Sequence, residues 1–477
     1  MSRAAGIALA VLTAAAVARA ASDDAQPLVQ VNVSHAAGTQ AEVAIAIDPA
    51  NDQVLLAGSN SIVPERSETF ARVYGSTDGG ATWTSEPGPP AAPVDGERRC
   101  NYGDPAVAID GESRQYYAFL ARPCLSDLAK VSKHEDVLPI ALQVASRPGA
   151  GGSWRTASVF PTRPARLDDK PAIAVDLDPA SLHPNRVYVA WSRVTLAKPK
   201  GSEEPLIEVV VSRSDNAGVT WSKPVLVSDS ASEGSIFASV AIGEEGDVYV
   251  AWLDSARHIW LDRSAAGAGP FGADVLVDTA PALPRERCAK DGLAIPAQRR
   301  RCITPAPLVT VDDREGVAER VYVTYGAPAA AGRPHDVFVA VFDRMLHPIL
   351  GAPAGERMRV NPPDGPVAAD HFLPAAAVDR SNGRLWVCYY DTTGDRRRER
   401  FYYTCTASAD GGGTWATPVR AARVPSNVAV RVASEFQLGE YAGVAVADGI
   451  AHPMWTDTRN LASRGEEIYT TALLQTP

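Results

Sequence analysis

Beyond its first residues the sequence lacks any long apolar run. The run IALAVLTAAAV at 7–17 follows Arg3 and precedes Ala18-Arg19-Ala20. A basic start, a short apolar stretch and small residues three and one positions before a cut are typical of a cleaved export signal. No later run approaches the roughly 18 apolar residues of a membrane-spanning helix. We therefore expect residues 1–20 to be a signal peptide and the mature chain to be secreted or periplasmic, without a membrane span.

An excess of positive charge is also absent. Lys and Arg total 46 against 56 Asp and Glu, which gives a formal net charge of −10. Nucleic-acid-binding proteins present a basic face, so we expect no nucleic-acid partner. The arginine runs at 299–301 and 396–400 are short and are interpreted as solvated loops.

Cysteine is scarce, and its spacing does not suit a metal. The six cysteines include no CxxC pair and no Cys/His cluster, so neither a metal nor another cofactor is predicted. In an exported chain, six cysteines are most simply three disulfides. The spacing suggests local pairs: Cys100 with Cys124, Cys288 with Cys302, and Cys388 with Cys405.

The dominant feature of the sequence is a repeat of about 60 to 70 residues. A short apolar run ending in Asp or Gly is followed by a turn and an aromatic-rich run. Such runs are rich in β-branched and aromatic residues, as strands require. The seven copies of the first run are EVAIAID (42), DPAVAID (104), KPAIAVD (170), FASVAIG (237), APLVTVD (306), LPAAAVD (373) and AGVAVAD (442). Two further apolar runs follow in most units.

Four strands per unit, repeated seven times, predict an all-β protein with the blades of a β-propeller. The last unit offers three strands, and the N-terminal segment PLVQVNVS at 27–34 is left without a unit. We expect it to complete the seventh blade and close the ring, which removes exposed strand edges. Residues 27–475 are interpreted as one such domain.

The turn between the third and fourth strands carries a recurring motif. It reads STDGGATW at 76–83, SDNAGVTW at 214–221 and SADGGGTW at 408–415. Its Asp or Asn can accept backbone N–H groups, its glycines permit positive φ, and its Trp can pack between sheets. The motif therefore predicts a hairpin turn rather than a catalytic site. It resembles the Asp-box of sialidases and related BNR-repeat propellers, and the resemblance covers residues 27–475.

That resemblance implies six blades as the alternative to seven, and an active site on the face opposite these turns. In the repeat, that face receives the ends of the second strands, at Asn60, Arg122, Arg193, Asp254, Ala327, Asp391 and Asp457. It also receives the starts of the innermost strands, which add Glu42, Tyr102, Asp104, Asp169, Lys170, His371 and the Glu440–Tyr441 pair. The charged members either line a ligand site or neutralise one another as structural pairs.

Retaining sialidases use a Tyr nucleophile activated by a Glu, an Asp as acid and base, and three arginines that bind the sugar carboxylate. Carried over, the resemblance implies Tyr441 as nucleophile, Glu440 or Glu42 as base, and Asp104 or Asp457 as acid. Arg122, Arg193 and Arg459 are the available carboxylate clamp, with Asp254 and Asp391 completing the substrate-binding group. One departure is that Glu42 stands where these enzymes begin an Arg-Ile-Pro motif.

Three hypotheses follow. The first is an exported glycoside hydrolase, similar to exo-α-sialidases, that acts on terminal acidic sugars. The second is a non-catalytic propeller that binds a glycan or a protein partner. The third places Ca²⁺ among Asp254, Asp391 and Asp457. The partner that we expect is a glycan or glycoconjugate, and we expect the protein to be a monomer.

Overall fold

The computed structural model describes residues 29–36, 38–63, 68–124, 139–160, 166–195, 205–229, 234–267, 269–281, 293–353, 355–428 and 437–474. These residues are almost entirely strand and turn, and the one helical segment among them is a short 3₁₀ turn at Glu244–Gly246. No helix among them is long and apolar enough to cross a membrane.

The strands of the first three repeat units, preceded by the N-terminal strand, are β1 (Val31–Asn32), β2 (Thr39–Asp48), β3 (Asn51–Val63), β4 (Glu68–Ser76), β5 (Thr84–Pro87), β6 (Arg99–Ile109), β7 (Gln115–Pro123), β8 (Ala141–Arg147), β9 (Arg155–Ser158), β10 (Arg166–Val175), β11 (Val187–Thr195), β12 (Leu206–Ser214) and β13 (Val225–Leu226). The fourth unit and the hairpin after it contain β14 (Ile236–Ile242), β15 (Val248–Leu253), β16 (His258–Ser264), β17 (Val275–Thr279), β18 (Leu293–Ile295) and β19 (Gln298–Ile303). The last three units contain β20 (Leu308–Asp312), β21 (Arg320–Pro328), β22 (His335–Asp343), β23 (Pro348–Leu350), β24 (Met358–Arg359), β25 (His371–Val378), β26 (Leu385–Asp391), β27 (Arg400–Ser408), β28 (Val419–Arg420), β29 (Ser426–Asn427), β30 (Gly443–Ala447), β31 (Ile450–Asp457), β32 (Glu467–Thr470) and β33 (Leu473–Leu474).

These strands form seven antiparallel blades, one for each repeat unit. Blades 1 to 4 have the strand orders β2-β3-β4-β5, β6-β7-β8-β9, β10-β11-β12-β13 and β14-β15-β16-β17. Blades 5 and 6 are β20-β21-β22-β23 and β25-β26-β27-β28, each with a fifth short strand on its third. The fold is therefore the predicted seven-bladed propeller, and the six-bladed alternative is excluded.

The ring closes in the predicted way. Blade 7 has the order β30-β31-β32-β1, so the N-terminal strand supplies its outer edge, with Val31 opposite Thr470. The innermost strand of each blade contacts that of the next, and β30 contacts β2. Blade 7 thus joins the two ends of the chain, which confirms the closing role expected for the N-terminal strand.

The second strand of each blade supplies much of the core. Trp191, Trp252 and Trp455 come from β11, β15 and β31, and each is at most 1% exposed. Their rings pack with aliphatic side chains of the neighbouring blade, so each blade buries a face that it could not bury alone. The apolar, aromatic-rich pattern of the repeat is explained by this burial between blades.

The innermost strands share a bulge near their start. Their pairing with the second strand shifts register at the same point in five blades. The residue at the bulge has positive φ without being glycine: Glu42 (60°), Asp104 (52°), Lys170 (52°), Phe237 (60°) and Leu373 (49°). This backbone conformation is uncommon for such residues, and bulges are frequent beside functional sites because they redirect a side chain. Three of the five carry a charge.

The recurring turn has the local chemistry expected of it. In the first copy Asp78 Oδ1 accepts the N–H of Thr82 at 2.9 Å, and Gly80 donates to Ser76 Oγ at 2.9 Å. Asn216 and Asp410 accept the equivalent N–H groups, also at 2.9 Å. These side chains are fully engaged within their own hairpins, at the opposite ends of the strands from Glu42 and Asp104.

Two of the three predicted disulfides are present, Cys100–Cys124 and Cys388–Cys405. Each joins neighbouring strands within a blade, since Cys100 lies on β6 and Cys388 faces Cys405 across β26 and β27. The third predicted pair, Cys288–Cys302, is not tested, because Cys288 lies outside the described residues.

Candidate functional site

A charged cluster lies where the innermost strands of blades 1, 2 and 3 meet the segment that leads into β30. At its centre, Lys170 Nζ lies 2.5 Å from Glu440 Oε2 and 3.3 Å from Asp104 Oδ2. The same nitrogen lies 5.9 Å from the ring centre of Tyr441. Because Asp104 and Lys170 occupy the bulge of their strands, the bulges direct these side chains into the cluster.

Arg301 on β19 reaches the same cluster from an insertion between blades 4 and 5. Its Nη2 lies 3.0 Å from Glu42 Oε1 and 2.9 Å from Glu440 Oε2, and its side chain is 21% exposed. The hairpin is fixed by Gln437, whose Oε1 accepts the N–H groups of Arg300 and Arg301. The interpretation of residues 299–301 as a solvated loop is therefore wrong for Arg301. An isolated arginine run outside the repeat gave no signal for this long-range contact.

Close backbone packing holds Glu42 in place. Gly439 has φ of +79°, and a Cβ at this position would overlap the side chain of Glu42. Asn60 completes the enclosure, because its Nδ2 donates to Glu42 Oε2 at 2.5 Å and its Oδ1 accepts the N–H of Asp104 at 2.7 Å. Glu42 is consequently 0% exposed, whereas the Glu440 side chain is 18% exposed.

Burial and ion pairing shift the pKa values of the carboxyl groups in the cluster in opposite directions. Burial raises the pKa of Glu42 to about 7, although Lys170 and Arg301 oppose the rise. Burial also raises the pKa of Asp169 to about 6 against the effect of Lys170. For Glu440, burial acts upward, but the charges of Lys170 and Arg301 outweigh it and lower the pKa to about 2. One glutamate is thus ionised at neutral pH while its neighbour titrates there.

The same neighbouring groups shift the pKa values of Lys170 and Tyr441. Burial acts to lower the pKa of Lys170, but the surrounding carboxylates raise it well above its usual value. Burial, followed by the charges of Asp104 and Glu42, raises the pKa of Tyr441 well above its usual value. The Tyr441 hydroxyl lies 3.5 Å from the carbonyl oxygen of Pro105, the residue after Asp104. The cluster therefore combines a neutral phenol, a carboxyl group that titrates near pH 7 and two fixed cations.

The three predicted clamp arginines have different partners. Arg193 pairs with Glu208 across the blade at 3.0 Å, and Arg459 makes two bonds to Asp457 at 2.9 and 2.7 Å. Arg122 lies over the ring of Tyr102 at 4.2 Å, and no carboxylate among the described residues forms an ion pair with it. Arg122 is thus the clamp candidate for which the described part of the chain offers no compensating carboxylate.

The predicted aspartates at the strand ends also have local partners. Asp254 accepts from His258 Nδ1 at 2.8 Å and Trp260 Nε1 at 2.9 Å. Asp391 lies 3.3 Å from His371 Nε2, and Asp457 binds Arg459 and Trp455. In the described part of the chain, none of these three carboxylates belongs to a common group of potential metal ligands. They do not converge as the calcium hypothesis requires.

Comparisons with known proteins agree on fold alone. No protein-family model matches the chain, and no curated protein matches it in sequence. The seven-bladed propeller is similar in fold to many solved sialidases, the class whose turn motif its sequence resembles.

Three solved structures illustrate this similarity. A protein of unknown function from Dyadobacter fermentans is 15% identical, with 79% of this chain and 96% of that chain covered and a TM-score of 0.48. The leech intramolecular trans-sialidase, complexed with 2,7-anhydro-Neu5Ac, is 10% identical over 76% of this chain and 66% of that chain, at 0.48. The intramolecular trans-sialidase from Ruminococcus gnavus is 12% identical over 77% and 93%, at 0.48.

Proposed function

We propose that the protein is a glycoside hydrolase whose active site is the cluster around Tyr441. The observation that carries the proposal is the sharing of Arg301 Nη2 by Glu42 and Glu440, with their pKa values at about 7 and about 2. The separation lets Glu42 take up a proton near pH 7 while Glu440 stays ionised and keeps the arginine in place, which suits Glu42 to the role of general base. A Tyr beside such a pair supplies a nucleophile.

In the proposed reaction Tyr441 attacks the anomeric carbon while its phenolic proton passes to ionised Glu42. The bond from that carbon to the leaving oxygen breaks, and Asp104, which must enter this step protonated, gives its proton to the leaving oxygen. Asp104 then takes a proton from water, whose oxygen displaces Tyr441 from the anomeric carbon, and Glu42 returns its proton to the released phenolate. Glu440 holds Lys170 and Arg301 in place. The two cations stabilise the negative charge that forms on the Tyr441 oxygen. Asp457 is less suited to the acid role because Arg459 binds both of its oxygens.

A terminal acidic sugar is the substrate that the cations favour. Arg122 lies two residues from the disulfide at Cys124 and stacks on Tyr102, which precedes Asp104 by two positions. A guanidinium held flat on an aromatic ring keeps its donors available for a carboxylate. Arg193 and Arg459 can join it only by releasing Glu208 and Asp457. We therefore assign Arg122 as the main residue that binds the sugar carboxylate.

Turnover of fluorogenic substrates tests this proposal. Purified protein would be assayed with a 4-methylumbelliferyl α-sialoside and a panel of neutral and uronic acid glycosides, between pH 4 and 9. We expect hydrolysis of an acidic sugar. Failure to hydrolyse every substrate, with an intact fold shown by circular dichroism, would rule the hydrolase out.

A binding protein without catalysis is the second candidate, and one observation favours it. Arg193 and Arg459 are each compensated by a carboxylate of their own blade, as in a structural ion pair. In that case a glycan array would show binding of an acidic glycan without turnover, and Arg122→Ala would abolish binding. An array without binding, together with measured hydrolysis, would exclude this candidate.

Export is proposed on separate grounds. Two disulfides are formed within the blades, and such bonds persist in oxidising compartments. We propose that residues 1–20 are removed and that the 27–475 propeller acts as a secreted or periplasmic monomer on a glycan or glycoconjugate. Cell fractionation and N-terminal sequencing test the location, and light scattering tests the monomer.

A further inference from the structure

A second group of polar side chains lies between blades 5 and 6. Asp336 is near the start of β22, Asp364 lies in the loop between the blades, and His371 opens β25. One potential ligand atom from each lies within 4.8 Å of the other two. His371 is 3% exposed, and its Nδ1 has no hydrogen-bond partner although Asp336 Oδ1 is 3.5 Å away. The imidazole nitrogen nearest Asp336 is thus buried, and its ion pair with that carboxylate is long.

The other side of the imidazole is held in the manner of a metal ligand. His371 Nε2 lies 3.3 Å from Asp391 Oδ1 and 3.4 Å from Thr393 Oγ1. The Tyr389 ring meets the imidazole edge to face at 5.5 Å. A histidine that binds a metal commonly gives its second N–H to a carboxylate, which fixes the tautomer and the ring orientation. A proton on Nε2 leaves the lone pair of Nδ1 on the side of Asp336, and one ring nitrogen lies within 4.8 Å of a ligand oxygen of Asp364.

The remaining neighbours determine which oxygen is available. Arg359 Nη2 lies 3.1 Å from Asp336 Oδ2, and Asn361 Nδ2 donates to Asp336 Oδ1 at 2.9 Å. The Asp336 oxygen that faces His371 is therefore Oδ1, which does not pair with Arg359. Among the described residues, Asp364 Oδ1 accepts only the N–H of Ala369, at 3.3 Å, and the side chain is exposed in a cavity at this junction. Solvent can reach the group and complete a coordination shell.

We propose that Asp336, Asp364 and His371 bind a divalent transition-metal cation, with Zn²⁺ the best match. One imidazole and two carboxylates form a donor set that Zn²⁺ uses, whereas Ca²⁺ takes oxygen ligands. The charge of Arg359 reduces the affinity without blocking Asp336 Oδ1. The site is separate from the Tyr441 cluster, and it joins two blades through ligands from both.

Calorimetric titration of the full chain with ZnCl₂ tests the site. Asp364→Asn is the informative variant because Asp364 is exposed and the substitution keeps the oxygen that accepts from Ala369. Asp95→Asn is the matched control, since Asp95 is an exposed turn residue with φ of 51°, which Asn adopts readily. We expect one Zn²⁺ per chain for the wild type and for Asp95→Asn, and binding weakened at least about tenfold in Asp364→Asn.

Two results would overturn the proposal. One is the absence of Zn²⁺ binding to the wild type. The other is unchanged binding in Asp364→Asn, which would place the metal on surface histidines such as His347. His371→Gln should abolish binding. Co²⁺ titration gives an independent readout, because the visible absorption of bound Co²⁺ should disappear in His371→Gln and should require a higher Co²⁺ concentration in Asp364→Asn.

Discussion

Glu42 and Glu440 bind the same nitrogen atom, Nη2 of Arg301, from opposite ends of the chain. Glu42 belongs to the first blade and Glu440 to the segment that enters the last. The arginine comes from a hairpin outside the repeat, so three distant parts of the sequence meet beside Tyr441. This junction is both where the ring closes and where the proposed chemistry takes place.

Arg301→Met should destabilise the protein because it leaves Glu42 and Glu440 without their shared cation. Removing one partner of a buried ion pair costs about 3 to 5 kcal/mol, and the partial exposure of Arg301 reduces this to about 2 kcal/mol. Urea unfolding measures the difference. Arg299→Met is the control, because Arg299 is 60% exposed where it pairs with Glu399. Equal effects of the two changes would contradict the buried role of Arg301.

Glu42→Gln should change how stability depends on pH. Burial raises the pKa of Glu42 from 4.5 to about 7, so the folded state holds this proton more tightly than the unfolded state. The stabilisation is complete below pH 4.5 and is lost as the pH rises through 7. The wild type should therefore lose on the order of 3 kcal/mol relative to Glu42→Gln between pH 4.5 and 8. Parallel stability curves would show that Glu42 does not titrate in this range.

Gly439→Ala should disturb the cluster through direct overlap with Glu42. Its control is Gly449→Ala, since Gly449 has the same φ of +79° but nothing within 4 Å of an added Cβ. Both changes incur the backbone cost of about 1 kcal/mol for Ala at positive φ. Only Gly439→Ala should lower the free energy of unfolding clearly beyond this backbone cost, as measured by urea unfolding. Indistinguishable losses would mean that the 439 segment does not press on Glu42.

The pH profile of kcat/KM should rise through about pH 7. Glu42 must be ionised to accept the phenolic proton, and burial sets its pKa at about 7. The measurement is the rate on the best substrate from pH 4 to 9. A profile that is already maximal at pH 5 would exclude Glu42 as the base and favour Glu440.

The propeller could be predicted because the sequence pattern of each blade recurs seven times along the chain. Each copy must bury its faces against its neighbours, so the pattern that places Trp191 in one blade places Trp252 and Trp455 in others. The closing role of residues 27–34 followed from counting strands. The register also located Glu42, Asp104, Glu440 and Tyr441 on one face.

The pairings on that face could not be predicted from the repeat. Arg193 and Arg459 find partners in their own blades, Glu208 and Asp457, which strand register alone does not determine. Arg301 enters through an insertion that follows no period, so only the three-dimensional path of the hairpin connects it to Glu42. The convergence of His371 with Asp364 likewise depends on a loop between blades.

The most direct test of the proposed chemistry is kcat/KM for Tyr441→Phe on the best hydrolysed acidic glycoside. Tyr402→Phe is the control, because this tyrosine lies under Arg420 at 3.9 Å in blade 6 and its ring is retained in the variant. Loss of the nucleophile should lower kcat/KM at least about 10³-fold with the fold intact, whereas Tyr402→Phe should stay within about twofold of the wild type. Wild-type rates in Tyr441→Phe would contradict the account.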